Sequence, residues 1–243
     1  MEFTGILILL FLIAFLYATV GHGGASGYLG MMALVGISPV MIRPSALLLN
    51  ILVSAITTVQ FYRAGYFRQK LFFPFIILSV PFAFIGSQIS LSGSVFKIIL
   101  GICLLVSAAR IINIFPTNQS GPKKNLPVLP AVCIGAGIGL ISGMIGIGGG
   151  ILLSPVLLLF RWADIKESAA VAAPFILINS LSGLTGLFSS GVTLPPQFLW
   201  WIVAAAIGGI IGSYWGSRKF NTVTLKYLLS VVLMIAAGKL FIS

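Results

Sequence analysis

One apolar run after another, separated by only a few polar residues, governs what this chain can become. The runs are Phe3–Val20, Ala25–Ile37, Pro44–Phe61, Leu71–Leu91, Val95–Phe115, Val128–Ile145, Ile151–Phe160, Ser168–Phe188, Phe198–Trp215 and Val223–Ile242. A helix rises ~1.5 Å per residue and the hydrocarbon core of a bilayer is ~30 Å thick, so about twenty residues cross it. Only 7% of the 243 residues are charged, and three acidic side chains, Glu2, Asp164 and Glu167, cannot solvate a globular surface. The chain therefore reads as an all-α polytopic membrane protein. A soluble enzyme, a nucleic-acid binder and a disordered chain are excluded. The net charge of +11 is the signature of Lys and Arg holding loops in the cytoplasm and does not imply a polyanionic partner. Cys103 and Cys133 lie in apolar stretches and read as core fillers. The first run has no basic n-region and no small-residue cleavage site, so it reads as a retained membrane helix.

The runs repeat. Gly21, Gly23 and Gly24 precede Gly146, Gly148 and Gly149 by 125 residues, Gly65, Gly86 and Ser87 precede Gly191, Gly212 and Ser213 by 126, and Asn50, Lys97 and Arg110 precede Asn179, Lys226 and Lys239 by 129. An ordered series that includes Asn and Lys as well as Gly implies two homologous membrane repeats, 1–115 and 128–243. The polar stretch 116–127, with Lys123 and Lys124, joins them as a linker.

Charge sets their relative orientation. Arg63, Arg68 and Lys70 mark a loop whose counterpart, Ser189–Gln197, is uncharged, whereas Arg218 and Lys219 mark the counterpart of uncharged Leu91–Ser94. A bias that alternates this way is what inverted repeats produce under the positive-inside rule. If each glycine-interrupted pair crosses twice or enters and returns, eleven of the fourteen Lys and Arg face the cytoplasm, leaving Arg43, Lys97 and Lys239 outside. A single long span per pair splits them seven and seven, and Phe3–Ile37 as one helix would measure ~52 Å, too long for the bilayer. The expectation is two inverted repeats, each a glycine-broken helix pair plus three further transmembrane helices. The protein then lies in the cytoplasmic membrane with both termini outside and the linker cytoplasmic.

The most specific motifs are the two breaks, VGHGGASG at 20–27 and IGIGGGILLSP at 145–155. A helix that starts after such a break aims free N–H groups and its positive dipole end into the gap. Paired breaks of this kind point to an anion-binding site in a transporter. The competing reading is that these glycines, with the rest of the Gly135–Gly149 series, only allow close helix packing. Neither break follows a strand or carries a Lys-Ser/Thr pair, which excludes a phosphate-binding loop of the nucleotide type.

With its repeated GxGG breaks, Pro155 after the second, two halves of hydrophobic blocks and a short basic centre, the whole chain resembles the sulfite exporter TauE/SafE family, also called the 4-toluene sulfonate uptake permease family. The second break is the closer match; the first carries His22 and Ala25 where a plainer glycine run is common. The resemblance implies a permease for sulfur-containing or organic anions such as sulfite, sulfoacetate and sulfonates.

The residues expected to bind the anion are Gly21, His22, Gly23, Gly24, Ala25 and Ser26 in the first break, Gly146, Gly148, Gly149 and Gly150 in the second, and Asn50 and Asn179 on the helices beside them. His22, the only histidine, serves either as a proton sensor or substrate donor, or as a packing residue, since its counterpart is Ile147. The matched Asn50 and Asn179 either ligate an oxyanion or bond a neighbouring helix. Ser26 and Ser154 stand near the breaks, and Arg43, on the outer side before Pro44, either draws anions into a vestibule or makes a topological or lipid contact. Trp162, Trp200, Trp201 and Trp215 read as interfacial belt residues. No carboxylate lies within an apolar run, so a buried carboxylate proton relay is not expected, and neither a metal centre nor a cofactor is. The functional expectation is a secondary transporter, not an enzyme, that moves a sulfur-containing anion by alternating access between membrane lipids. The alternative is an intramembrane binding or assembly subunit without transport of its own. The oligomeric state stays open.

Overall fold

The computed structural model describes residues 3–37, 39–89, 123–188 and 194–221, with scattered positions between 223 and 238. The expected span Val95–Phe115, most of Val223–Ile242, the linker before residue 123 and the loop 189–193 lie outside the described residues. What is described is helical: α1 (Phe3–Thr19), α2 (Ala25–Leu34), α3 (Pro39–Arg63), α4 (Gln69–Ser87), α5 (Val128–Ile145), α6 (Gly150–Leu159), α7 (Ile165–Phe188) and α8 (Phe198–Tyr214), the last continuing as a π-helical turn, Trp215–Lys219. Met41–Arg63, Gln69–Ser87, Val128–Ile145, Ile165–Phe188 and Phe198–Lys219 are each long and apolar enough to cross a membrane. Their outward side chains are apolar: Leu129 is 74% exposed and Leu199 70%. Such a perimeter is solvated by lipid, and the chain is a multi-pass membrane protein.

Lipid tails are as apolar as leucine, so helices in a bilayer associate through close van der Waals contact, which small residues permit. Two helix pairs use this device. Gly135, Gly139 and Gly143 of α5 lie against the backbone of Phe75, Ser79 and Ala83 of α4, and a side-chain carbon on any of them would collide with those carbonyls. Gly208, Gly212 and Gly216 press in the same way on Phe11, Phe15 and Thr19 of α1. In both pairs the partners advance together, so α4 runs parallel to α5, and α1 to α8. α3 and α7 cross the centre antiparallel, with Leu47 opposite Gly183 and Asn50 bonded to Ser180, while Phe61 packs with Ala169 and Ala170.

The broken pairs turn back on themselves. Met31 and Met32 of α2 share a packed cluster with Ile6 and Leu10 of α1. Trp162, just past α6, has its ring tilted against Phe75 with centroids 6.1 Å apart and shares a cluster with Ala131 near the start of α5. Each pair thus returns toward the end at which it began, and neither forms one long helix.

A charged cluster closes the end of the bundle where α4, α5 and α7 begin. Asp164 caps α7: its Oδ1 accepts from the Glu167 N–H at 2.9 Å, and Glu167 Oε2 accepts from the Asp164 N–H at 3.1 Å, a reciprocal capping box. Lys123 donates to Asp164 at 3.0 Å and to Glu167 at 2.6 Å, and Arg68 pairs with Glu167 at 2.8 Å. Lys166 donates to the Tyr66 hydroxyl at 3.3 Å.

Some expectations need correction. Trp200 and Trp215 are exposed, but Trp162 and Trp201 are buried. Neighbours on a helix point ~100° apart, so Trp200 meets lipid while Trp201 turns inward. Cys133 is exposed on the outside of α5 and fills no core.

Candidate functional site

The two breaks meet at Asn50, in the middle of α3. Its Oδ1 accepts the N–H of Ala25, the first residue of α2, at 3.2 Å. Its Nδ2 donates to the carbonyl of Ile147 in the second break at 3.3 Å and to Ser180 Oγ on α7 at 2.8 Å. One fully buried amide therefore ties together both breaks and both central helices. The glycines make this approach feasible. A side-chain carbon on Gly23 would overlap Asn50 Oδ1, and one on Gly148 would lie 2.5 Å from Asn50 Nδ2 and 2.6 Å from Ser180 Oγ. Gly148 also has φ +73, a conformation in which L side chains are strained.

The helix ends around this junction follow from the same glycines. α5 stops at Gly146, left-handed at φ 83, whose N–H returns to Ser142 O at 2.7 Å. α6 starts after Gly149, left-handed at φ 77, with no side-chain hydrogen bond capping it. The positive end of the α6 dipole thus faces the junction without a side-chain cap.

His22 is buried in the first break, and its Nε2 shares a hydrogen bond with Ser154 Oγ of α6 at 2.9 Å. Its Nδ1 is buried without a hydrogen-bond partner among the described residues. The Tyr17 and Ser26 hydroxyls bond each other at 2.8 Å. Tyr17, His22, Ser26 and Asn50 form the polar wall of a cavity of about 10 Å³, lined on its apolar side by Ile147, Ile151 and Ile176. That is room for about one water molecule; a sulfite or sulfonate group is larger.

Of the residues expected at the site, His22, Gly23, Gly24, Ala25, Ser26 and Asn50 line this cavity. Gly148 abuts the Asn50–Ser180 bond, and Gly150 packs on Ile176. Gly149 packs on Ile138 and Phe175, and Gly21 on the backbone of Ala169. Gly146 touches Arg43. Asn179 stands apart: its Oδ1 accepts from Ser79 Oγ on α4 at 2.7 Å and its Nδ2 donates to Phe175 O at 2.9 Å. Tyr17 was not anticipated; a lone hydroxyl-bearing ring four residues before Gly21, in an otherwise apolar helix, was the available signal. Arg43 is corrected from a lipid contact. It turns inward and donates from Nη2 to the carbonyls of Ser87 and Gly143. Among the described residues no group of three or more His, Cys, Asp or Glu is placed to hold a metal ion.

Residues 6–240 match the profile of the family described as sulfite exporter TauE/SafE. The chain is also 40% identical to a protein of Sinorhizobium fredii (strain NBRC 101917 / NGR234) named probable membrane transporter protein y4hK, over 98% of each chain. No solved structure matches. A profile match over nearly the whole length, on a helical membrane bundle whose two glycine breaks converge, places this chain in the sulfite exporter TauE/SafE family of membrane transporters.

Proposed function

We propose that the protein is a permease for a small sulfur-containing oxyanion of the sulfite or sulfonate class, working by alternating access, with the anion held where the two breaks meet. The observation that carries this reading is the Asn50 amide, which occupies the N-terminus of α2 and at the same time bonds the second break. An anion oxygen arriving there would take over the Ala25 N–H that Asn50 Oδ1 now accepts. His22, Ser26 and Ser154 supply further hydroxyl or imidazole contacts, and the N-terminal N–H groups of α6 complete the shell around Gly148–Gly150. Backbone donors suit the task because they are fixed in place and add no full charge that would trap the anion.

The helix pairing supports two inverted repeats, residues 1–115 and 128–243. α1 packs with α8 and α4 with α5, so the first and fourth helices exchange partners between the halves, and the matched α3 and α7 run antiparallel. Asn50 and Asn179 occupy matched positions with different partners. In the opposite-facing state Asn179 leaves Ser79 and accepts the N–H of Gly150, the residue that begins α6 as Ala25 begins α2. Exchange of these two arrangements is the alternation.

The test is flux of labelled sulfite into proteoliposomes that contain only this chain. Saturable flux, competed by organosulfonates and abolished in an Asn50→Leu variant that inserts normally, is the expected result. If the pure chain moves none of sulfite, sulfate, thiosulfate or organosulfonates, the permease reading fails and an intramembrane binding or assembly subunit takes its place.

A further inference from the structure

Arg43 and Asn50 are seven residues apart on α3, two helical turns and ~10.5 Å, and so lie on one face. That face follows the second break: Asn50 meets Ile147 and Gly148, and Arg43 meets Gly146. A side-chain carbon on Gly146 would be 2.9 Å from Arg43 Cγ and 3.5 Å from Nε. The guanidinium sits between the ends of two helices, with Nη2 donating to Ser87 O, just at the end of α4, at 3.1 Å and to Gly143 O in the last turn of α5. Nε is buried and has no partner among the described residues.

Among the described residues no acidic side chain pairs with this charge. Of the three acidic side chains in the sequence, Asp164 and Glu167 are engaged with Lys123 and Arg68. They do so at the end where α4 begins, whereas Arg43 is at the end where α4 finishes. Glu2 lies outside the described residues. Carbonyls at helix C-termini offset part of the desolvation of a half-buried guanidinium, and the unbonded Nε leaves a buried donor beside the break. At the other break, among the described residues, Gly21 packs on the backbone of Ala169 of α7 and not on a guanidinium.

We propose that Arg43 is the capture residue for the transported oxyanion, receiving it at the rim of the second break and passing it two turns inward to the Asn50 junction. The planar guanidinium offers two N–H groups on one edge to a sulfite or sulfonate, a geometry that ammonium lacks. Because Arg43 stands against Gly146 of the second break, it acts on anion arriving from that side. This rests on the permease reading above.

The experiment measures sulfite flux against concentration, from each side separately, in proteoliposomes of wild type, Arg43→Gln and Arg43→Lys. Gln keeps N–H donors for the carbonyls but removes the charge. The expected result for Arg43→Gln is a KM raised about tenfold or more for flux from the Arg43 side, with KM from the other side and maximal flux near wild type. Arg43→Lys falls between. An unchanged KM in Arg43→Gln overturns the inference, and a lowered thermal midpoint with unchanged KM assigns Arg43 to holding the helix ends. Should Arg43→Gln not insert, Arg43→Lys decides by the same measure, wild-type KM again overturning it. Failure of the permease reading is distinct, because the wild type itself would then carry no anion.

Discussion

Asn50 and Asn179 have the same residue type at matched positions, yet their side chains do different things. Asn50 satisfies the Ala25 N–H, the Ile147 carbonyl and Ser180 Oγ together. Asn179 satisfies Ser79 Oγ and a carbonyl of its own helix. Hydrogen bonds between membrane helices contribute on average ~0.6 kcal/mol and up to ~1.7 kcal/mol. Asn50→Leu, which strands three buried groups, is therefore expected to destabilise the fold by about 1–2 kcal/mol. Asn179→Leu strands one hydroxyl and is expected to cost about 0.6 kcal/mol. Denaturant unfolding in detergent micelles measures both; equal losses would show that the bridge across the breaks contributes nothing to stability.

At the scale of elements, two glycine ladders set helix spacing. Gly139 faces the Ser79 carbonyl, whereas Gly137, two residues earlier on α5, has nothing within 4 Å of where a side chain would start. Gly139→Leu is expected to force α4 and α5 apart at a cost of about 1–3 kcal/mol, the usual range for overpacking. Gly137→Leu should leave the thermal midpoint close to that of wild type, because the added chain extends into lipid. Gly212→Leu, against the Phe15 carbonyl of α1, should behave like Gly139→Leu. Indistinguishable midpoints for the Gly137 and Gly139 variants would refute the ladder as the spacing device.

For the whole molecule, the charged cluster clamps the α3–α4 loop and the linker to the start of α7. Burial alone would push the Asp164 carboxyl up, but the Glu167 N–H and the Lys123 ammonium outweigh it and hold it below its ordinary 3.8. The hydrogen bond to Glu167 leads in holding Lys123 above its ordinary 10.5. A lowered carboxylate stabilises the fold above its unfolded pKa and loses that contribution as pH falls through the lowered value. A raised ammonium stabilises it below 10.5 and loses that contribution as pH rises through the raised value. Stability should therefore decline on the acid side below about pH 4, and Lys123→Met should flatten that decline. Thermal midpoints against pH in the two proteins check this; superimposable profiles would mean the clamp carries no stability. Orientation is a separate matter. Single cysteines at Leu194 and Arg218, in a background without Cys103 and Cys133, should react with an impermeant maleimide from opposite faces. Labelling from one face would refute the inverted arrangement of crossings.

Hydropathy and glycine placement are local properties, so the described spans and both breaks were legible along the chain. α5 begins and ends at the residues expected, Val128 and Ile145. α3 starts at Pro39, before the expected Pro44, and so carries Pro44 inside it at the cost of one backbone hydrogen bond. The facing of side chains was not legible. A soluble helix shows a polar stripe that marks its outer face, but here lipid and protein interior are both apolar, and the stripe vanishes. Sequence alone therefore could not tell Trp200 from Trp201, place Cys133 outside, or separate Asn50 from Asn179. Nor could it turn Arg43 inward, since its carbonyl partners lie 44 and 100 residues away. Only the packing of α3 against the ends of α4 and α5 brings a cation to the second break.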